Sequence, residues 1–204
     1  MKETFDKIFN SKVIEHNISS SEIKRKKFCQ ISLLEIENKD KASANKQITL
    51  SGFDEIYYAI KFDSANFLHR KITDHENDYS DSLIIDNSFY KVCDYILWVK
   101  FQEHKFILVV ELKSKIFDKN VINLKFRNSV AFINYLQSIT KQIKDNVFDD
   151  FIPNPISILI HNKTFNKDII KTQYGFYEKG IDSSESWRIN KNFQTIIKQE
   201  MSSV

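Results

Sequence analysis

The chain is poor in the residues that usually interrupt or cross-link a fold: its 204 residues include three Gly, two Pro and two Cys. The two cysteines, Cys29 and Cys93, give neither a zinc-ligand spacing nor a disulfide framework, so we expect two reduced thiols. No apolar run approaches the ~20 residues that a membrane span requires. The first residues also lack the apolar segment of a signal peptide. The sequence therefore predicts a soluble, cytoplasmic protein that makes no membrane contact.

Apolar and aromatic residues are plentiful, which argues against disorder. Hydrophobic residues make up 42% of the chain and aromatic residues 13%, with 17 Phe among them. The length suits one domain over residues 1–204 and allows a sizeable core. The net charge of +3 is mildly basic. This charge is compatible with a nucleic-acid partner but does not single one out.

Two apolar runs, 91–100 and 104–114, each carry acidic side chains near one end. The first run has Asp94 at its start, and the second ends in Glu111-Leu112-Lys113. Successive strand residues point to opposite faces, so Glu111 and Lys113 share a face of the second strand. If the two runs form adjacent strands, two acids and a lysine can meet at one edge of a sheet.

A hairpin is the simplest connection, and its register decides whether the acids meet. The polar break 102–105 separates the runs, and pairing Gln102 with Lys105 centres the turn on residues 103–104. Asp94 then lies opposite Lys113, and Asp94 and Glu111 are diagonal neighbours roughly 7–8 Å apart. A slip of one residue would separate the acids onto opposite faces. A shift by an even number in the pairing sum would keep them on one face.

The acids and their apolar setting resemble the core of the PD-(D/E)XK nucleases, the restriction-endonuclease-like superfamily. The match consists of Asp94, sixteen intervening residues and Glu111-Leu112-Lys113, within a catalytic core of about residues 80–165. Cys93 stands where the family has a proline. The resemblance implies that Asp94 and Glu111 bind Mg²⁺ or Mn²⁺, with the Leu112 carbonyl as a third ligand. It also implies that Lys113 orients the attacking water or stabilises charge on the phosphorane.

Many members of this family add a glutamate from an N-terminal helix. The segment 1–27 is expected to be helical: apolar residues recur at helical spacing over 5–13, and Ser19–Glu22 could cap a second helix. Glu15 and Glu22 are both candidates for the additional acid, and the sequence does not choose between them.

Basic side chains follow the acidic motif closely. We expect some of them to contact a nucleic-acid backbone near the metal site. These candidates are Lys115, Lys119, Lys125 and Arg127. A second basic run, Lys24–Lys27, is more typical of a solvated surface.

The order of elements predicts an α+β fold, an α/β sandwich with a mixed, restriction-endonuclease-like sheet flanked by helices. The predicted strands cover 28–37, 48–62, the central hairpin, 156–160 and a short segment at 176–177. The predicted helices cover 128–144 and 193–201, and the aperiodic segment 63–82 is expected to be a loop or lid.

Other nuclease signatures fit less well. Arg70 and His75 have the Arg-x4-His spacing of HEPN ribonucleases, but those folds are all-helical. His161-Asn162 at a strand end lacks the second histidine of an HNH site and is interpreted as a surface position. Trp98 is expected in the core.

The sequence as a whole predicts a Mg²⁺- or Mn²⁺-dependent nuclease acting on DNA, with RNA left open. We expect a partner protein subunit or a homo-oligomer, in a defence or mobile-element system. The alternative is a non-catalytic subunit, or a protein- or nucleic-acid-binding module, that retains the nuclease fold.

Overall fold

The fold is described by a computed structural model, in which the described residues form ten strands and one long helix. The described residues are 18–23, 26–34, 47–61, 91–113, 117–142, 148, 150–151, 154–161, 169–181, 186–188, 196 and 199–200. In chain order the elements are β1 (Ile18–Ile23), β2 (Lys26–Leu34), β3 (Gln47–Phe53), β4 (Glu55–Lys61), β5 (Tyr95–Phe101), β6 (His104–Lys113), α1 (Lys119–Gln142), β7 (Ile156–His161), β8 (Ile170–Lys171), β9 (Tyr177–Gly180) and β10 (Ser186–Arg188).

The strands form two sheets. The larger has six strands in the order β4-β5-β6-β7-β9-β8, and the smaller has four in the order β1-β2-β3-β10. In the larger sheet β4, β5 and β6 run antiparallel, while β7 lies parallel to β6 and β9 parallel to β7. The helix α1 connects the parallel pair β6 and β7, which is the usual kind of connection for parallel neighbours.

The larger sheet is the middle layer of the molecule, between α1 and the smaller sheet. One apolar cluster joins it to α1 through residues such as Ile96, Val109 and Phe126. A second cluster joins its other face to the smaller sheet through residues such as Leu97, Val110 and Leu50. Strands covered on both faces are apolar almost throughout, which explains the two continuous apolar runs in the sequence. The predicted α+β class is confirmed at this coarse level.

The helix begins nine residues earlier than the predicted start at 128, so that boundary was wrong. Asp118 caps the first turn: its Oδ1 accepts the Asn120 N–H at 2.8 Å, and its carbonyl accepts the Ile122 N–H at 3.1 Å. The buried side is spaced three or four residues apart along the whole helix, at Ile122, Phe126, Ser129, Ile133, Leu136 and Thr140. The apolar pattern therefore extends through the segment that contains Lys119, Lys125 and Arg127, which were predicted as nucleic-acid contacts.

Two other predicted elements were wrong. The single strand at 48–62 is divided at Asp54 into β3 and β4, which belong to different sheets. Ser19–Glu22, expected to cap a helix, lies in β1 and pairs antiparallel with β2, because cross-strand pairing outweighs the local capping pattern. The predicted helix over 5–13 and the predicted loop at 63–82 lie outside the described residues.

The strand predicted at 156–160 is confirmed as β7, and the short strand near 177 as β9. Ile196, Gln199 and Glu200 are helical, within the helix predicted at 193–201. Among the described residues, no helix has both the length and the apolar character needed to cross a membrane.

Candidate active site

The hairpin β5–β6 brings the two acids together, in a register different from the predicted one. Phe101 pairs with His104, so the turn consists of two residues, Gln102 and Glu103, and the pairing sum differs by two from the expected value. Continued one residue before the start of β5, this register places Asp94 directly opposite Glu111 rather than opposite Lys113. The predicted register was wrong, but the even shift keeps both acids on the same face.

The turn is held from a neighbouring strand. Gln102 adopts φ = 55°, the left-handed conformation that tight two-residue hairpins use. Its N–H donates a 2.5 Å hydrogen bond to Oδ2 of Asp54, the residue between β3 and β4. The Asp54 N–H in turn donates to the Lys100 carbonyl at 2.9 Å. A contact between residues 48 positions apart therefore holds the turn in this register, and a local turn motif gives no sign of it.

Reciprocal hydrogen bonds tie the two acids to each other's strand. The Leu112 N–H donates to Asp94 Oδ2 at 2.8 Å, and the Asp94 N–H donates to Glu111 Oε2 at 3.2 Å. Asp94 is 6% exposed and Glu111 is fully buried. These bonds continue the hairpin beyond the first residue of β5, so both carboxylates are held by backbone donors at the end of the sheet.

Two lysines approach one oxygen of Glu111 from different elements. Lys113 Nζ, from the end of β6, lies 2.9 Å from Glu111 Oε1, and Lys125 Nζ, from α1, lies 2.5 Å from the same atom. The lysine side chains are 26% and 18% exposed. Two ammonium groups thus compensate the charge of the buried Glu111 carboxylate.

The predicted site residues Asp94, Glu111 and Lys113 therefore lie together. Lys125 was predicted as a nucleic-acid contact, but the structure places its ammonium on the buried acid. This role was not predicted, because the helix was expected to begin at 128, after Lys125.

Burial and the neighbouring charge perturb the acid pair. Loss of solvent and the charge of Glu111 raise the pKa of Asp94 from 3.8 to about 7, against the opposing effects of Lys125, Lys113 and the Leu112 N–H. Burial, followed by the charge of Glu111, also raises the pKa of the Cys93 thiol well above its ordinary value. Asp94 therefore resists ionisation, and an additional cation beside it would favour its charged form.

The helix also positions the segment that carries Asp94. Ser129 Oγ, on the buried side of α1, accepts the Cys93 N–H at 2.9 Å. Asn128 Nδ2 donates to the Lys91 carbonyl at 2.9 Å. Neither residue was among the predicted site residues. A serine on a mostly apolar helix face was the available signal, because a buried hydroxyl needs a partner.

A second group of polar side chains lies beside the acids on the same face of the sheet. His161, at the end of β7, is the register partner of Lys113 and is 3% exposed, so its predicted surface location was wrong. Its Nε2 lies 3.0 Å from Glu178 Oε1, and Lys119 Nζ lies 2.7 Å from Glu178 Oε2. The Phe117 ring packs on the imidazole with 5.4 Å between centroids.

The other residues singled out from the sequence are not part of this group of charged side chains. Arg127 is exposed and lines a groove of about 410 Å³ with Tyr174 and Phe176, on the flank of α1 away from Lys125. Trp98 is fully buried, as predicted. Glu22 lies in β1, and its side chain is outside the described residues. Also outside are Lys115, Glu15, Arg70 and His75, together with the side chains of Lys24–Lys27.

The donor set fits a hard divalent cation that is completed by water and substrate. Among the described residues no three or more His, Cys, Asp or Glu side chains group into a metal site. Two carboxylates are nevertheless sufficient for Mg²⁺, which commonly keeps several waters and takes substrate phosphate oxygens as ligands. The N–H and C=O of a strand residue face the same edge, so the Leu112 carbonyl lies on the Asp94 side and remains a candidate ligand.

The charge balance is consistent with an anionic substrate. With the acids ionised, Asp94 and Glu111 are matched by Lys113 and Lys125. A divalent cation would leave this cluster with a net positive charge, which favours a phosphodiester.

Comparison with known proteins adds no family to this description. No family model matches the chain, and no match was found among curated proteins or solved structures. The functional interpretation therefore depends on the geometry of the four charged side chains and on the strands that carry them.

Proposed function

We propose that this protein is a Mg²⁺- or Mn²⁺-dependent nuclease that hydrolyses DNA phosphodiester bonds. One observation carries the proposal: two buried carboxylates on adjacent strands lie against two lysines that converge on one carboxylate oxygen. Burying such a cluster is costly for stability alone, because desolvation of charged groups offsets much of their mutual attraction. Perturbed carboxylates grouped with cations are characteristic of functional sites.

In this proposal each side chain has a distinct task. Asp94 and Glu111 would hold the cation, and the Leu112 carbonyl would contribute a further oxygen. When bound, the metal lowers the pKa of a water molecule and neutralises charge on the phosphate. Lys113 and Lys125, whose ammonium groups lie beside Glu111, would supply positive charge to the phosphate oxygens.

The arrangement of strands supports the same function. The resemblance to PD-(D/E)XK nucleases implies a hairpin bearing the acids, a helix packed behind it and a further core strand. The corresponding elements here are β5–β6, α1 and β7. We further propose that a partner subunit or a second copy of the chain selects the target, as in an effector of a defence or mobile-element system.

A second candidate function is a non-catalytic subunit that keeps the fold for binding. It is favoured by the completeness of the contacts within the cluster: Glu111 accepts from two lysines and a backbone N–H, and Asp94 accepts from the Leu112 N–H. In that case the cluster would be a structural network that needs no cation.

The two functions are separated by a cleavage assay. Supercoiled plasmid, single-stranded DNA and RNA are each incubated with Mg²⁺, with Mn²⁺ or with a chelator. The proposal expects metal-dependent hydrolysis of DNA that is lost in Asp94→Asn and in Lys113→Met, because removing a ligand or a charge-stabilising group costs about 10²-fold or more in rate.

The matched control is Asp150→Asn, which removes an exposed acid paired with Lys105 at 2.8 Å, near the turn end of β6. This variant should cleave like the wild type. Hydrolysis that survives both site substitutions would contradict the proposal. Selective hydrolysis of RNA would keep the chemistry but contradict the assignment of DNA as the substrate.

A further inference from the structure

A third acid, Glu178, lies on the α1 face of the larger sheet, beyond Asp94 and Glu111. In the parallel register of β6, β7 and β9, Glu111 is aligned with Leu159, and Leu159 is aligned with Glu178. Leu159 belongs to the apolar cluster under α1, so all three side chains are on the α1 face. The contacts of Glu111 with Lys125, and of Glu178 with Lys119, join both acids to the same helix.

Besides the pair Asp94 and Glu111, Lys113 therefore has one further carboxylate on its own face of the sheet, that of Glu178. Glu111 is on the same strand, and Glu178 is two strands away, about 10 Å across the sheet. A lysine and a glutamate can span that separation with extended side chains. Glu178 is thus a competitor of Glu111 for the Lys113 ammonium.

His161 lies on β7, between the strand of Lys113 and the strand of Glu178. It is the register partner of Lys113, is almost completely buried, and contacts Glu178 Oε1 through Nε2. Lys119 occupies the other oxygen of Glu178. Both oxygens of the competing acid therefore have a nitrogen within ion-pair distance.

We propose that His161 is a positioning residue that keeps Lys113 on Glu111 by occupying Glu178. This inference deepens the proposed nuclease function, since Lys113 is one of its charge-stabilising groups. The role is separable from simple core filling, because it depends on the nitrogen contact with Glu178 and on Glu178 being an acid.

The first test locates Lys113 without requiring activity. Zero-length carbodiimide cross-linking followed by mass spectrometry reports which carboxylate a lysine contacts. His161→Leu and His161→Met, which lack the ring nitrogens, should each increase the Lys113–Glu178 cross-link about tenfold, an equilibrium shift of the size that distinguishes one contact from another. His161→Gln keeps a side-chain N–H for Glu178 and should cross-link like the wild type. A wild-type cross-linking pattern in a folded His161→Leu or His161→Met variant would overturn the inference.

The second test uses DNA hydrolysis. His161→Leu should lower kcat about 10- to 100-fold with little change in KM, because a catalytic group displaced by about 1 Å loses rate on that scale. Adding Glu178→Gln removes the competing charge and should restore most of kcat. Absence of this rescue would overturn the positioning role.

The two tests fail independently. A wild type that cleaves no DNA with either metal would refute the proposed function, while the cross-linking result would still decide where His161 holds Lys113. Thermal unfolding of each variant identifies those that fold, and Asp150→Asn serves as the control that disturbs an ion pair near the turn end of β6.

Discussion

Replacing Asp94 with asparagine should stabilise the metal-free protein at alkaline pH and abolish its response to metal. Asparagine keeps an oxygen that can accept the Leu112 N–H, now at 2.8 Å from Asp94 Oδ2, but it carries no charge. The substitution removes repulsion with buried Glu111 and leaves Lys113 and Lys125 paired with that acid. A residue that binds a catalytic cation should therefore be a liability to stability when the cation is removed.

The size of the effect follows from the pKa of Asp94. Burial and Glu111 raise it from 3.8 to about 7. At pH 8 an ionised Asp94 then costs the fold about 4 kcal/mol, since one pKa unit corresponds to about 1.4 kcal/mol. At pH 5 the cost is about 1–2 kcal/mol. The amide introduces a loss of about 1–2 kcal/mol through imperfect hydrogen bonding. The net gain should be about 2–3 kcal/mol at pH 8 and near zero at pH 5.

Proton binding sets the direction in which the stability of the metal-free protein changes with pH. Between about pH 4 and pH 7 the folded state holds more protons on Asp94 than the unfolded chain does, so metal-free stability falls as pH rises through this range. Thermal unfolding in chelator should give Asp94→Asn a Tm about 4–10 °C above the wild type at pH 8, and similar values at pH 5. A Tm difference that is the same at both pH values, or a variant less stable at pH 8, would refute the reasoning. Asp150→Asn should show no such pH dependence.

Three further substitutions test the surrounding contacts. Lys125→Met should strengthen Mn²⁺ binding in calorimetry, because one cation leaves Glu111, yet weaken DNA cleavage; unchanged values of both would contradict the role given to Lys125. Ser129→Ala should cost about 1–3 kcal/mol in urea unfolding, because the buried Cys93 N–H loses its acceptor, and a cost below ~0.5 kcal/mol would contradict this. Asp118→Ala should cost about 1 kcal/mol by removing the cap of α1, with Asp118→Asn as the control that retains it.

The sequence predicted the face shared by the acids but not the contacts that bring them together. Side-chain alternation correctly put Asp94 and Glu111 on one side of a hairpin. The predicted register was wrong: the turn lies at Gln102 and Glu103, where the Gln102 N–H donates to Asp54 from the end of another strand. Long-range hydrogen bonds of this kind are invisible to a local turn pattern.

The error at the helix had a different cause. Ile122 and Phe126 are four residues apart and continue the buried side of α1, but the lysines among them suggested an exposed basic approach. Lysine has a long apolar stem that allows it to flank a buried helix side while its ammonium reaches an acid, as Lys125 does. His161 was misplaced for a related reason, since a histidine at a strand end gives no sign of a carboxylate two strands away in sequence order.

The central claim is that Asp94 and Glu111 together hold one divalent cation, and Mn²⁺ binding followed by electron paramagnetic resonance tests it most directly. The signal of free aqueous Mn²⁺ decreases as the ion binds. We predict that the wild type and Asp150→Asn each bind a single Mn²⁺, whereas Asp94→Asn and Glu111→Gln lose at least tenfold in affinity. The claim would be contradicted if the folded wild type failed to bind Mn²⁺. It would also be contradicted if both acid variants bound Mn²⁺ as tightly as the wild type does.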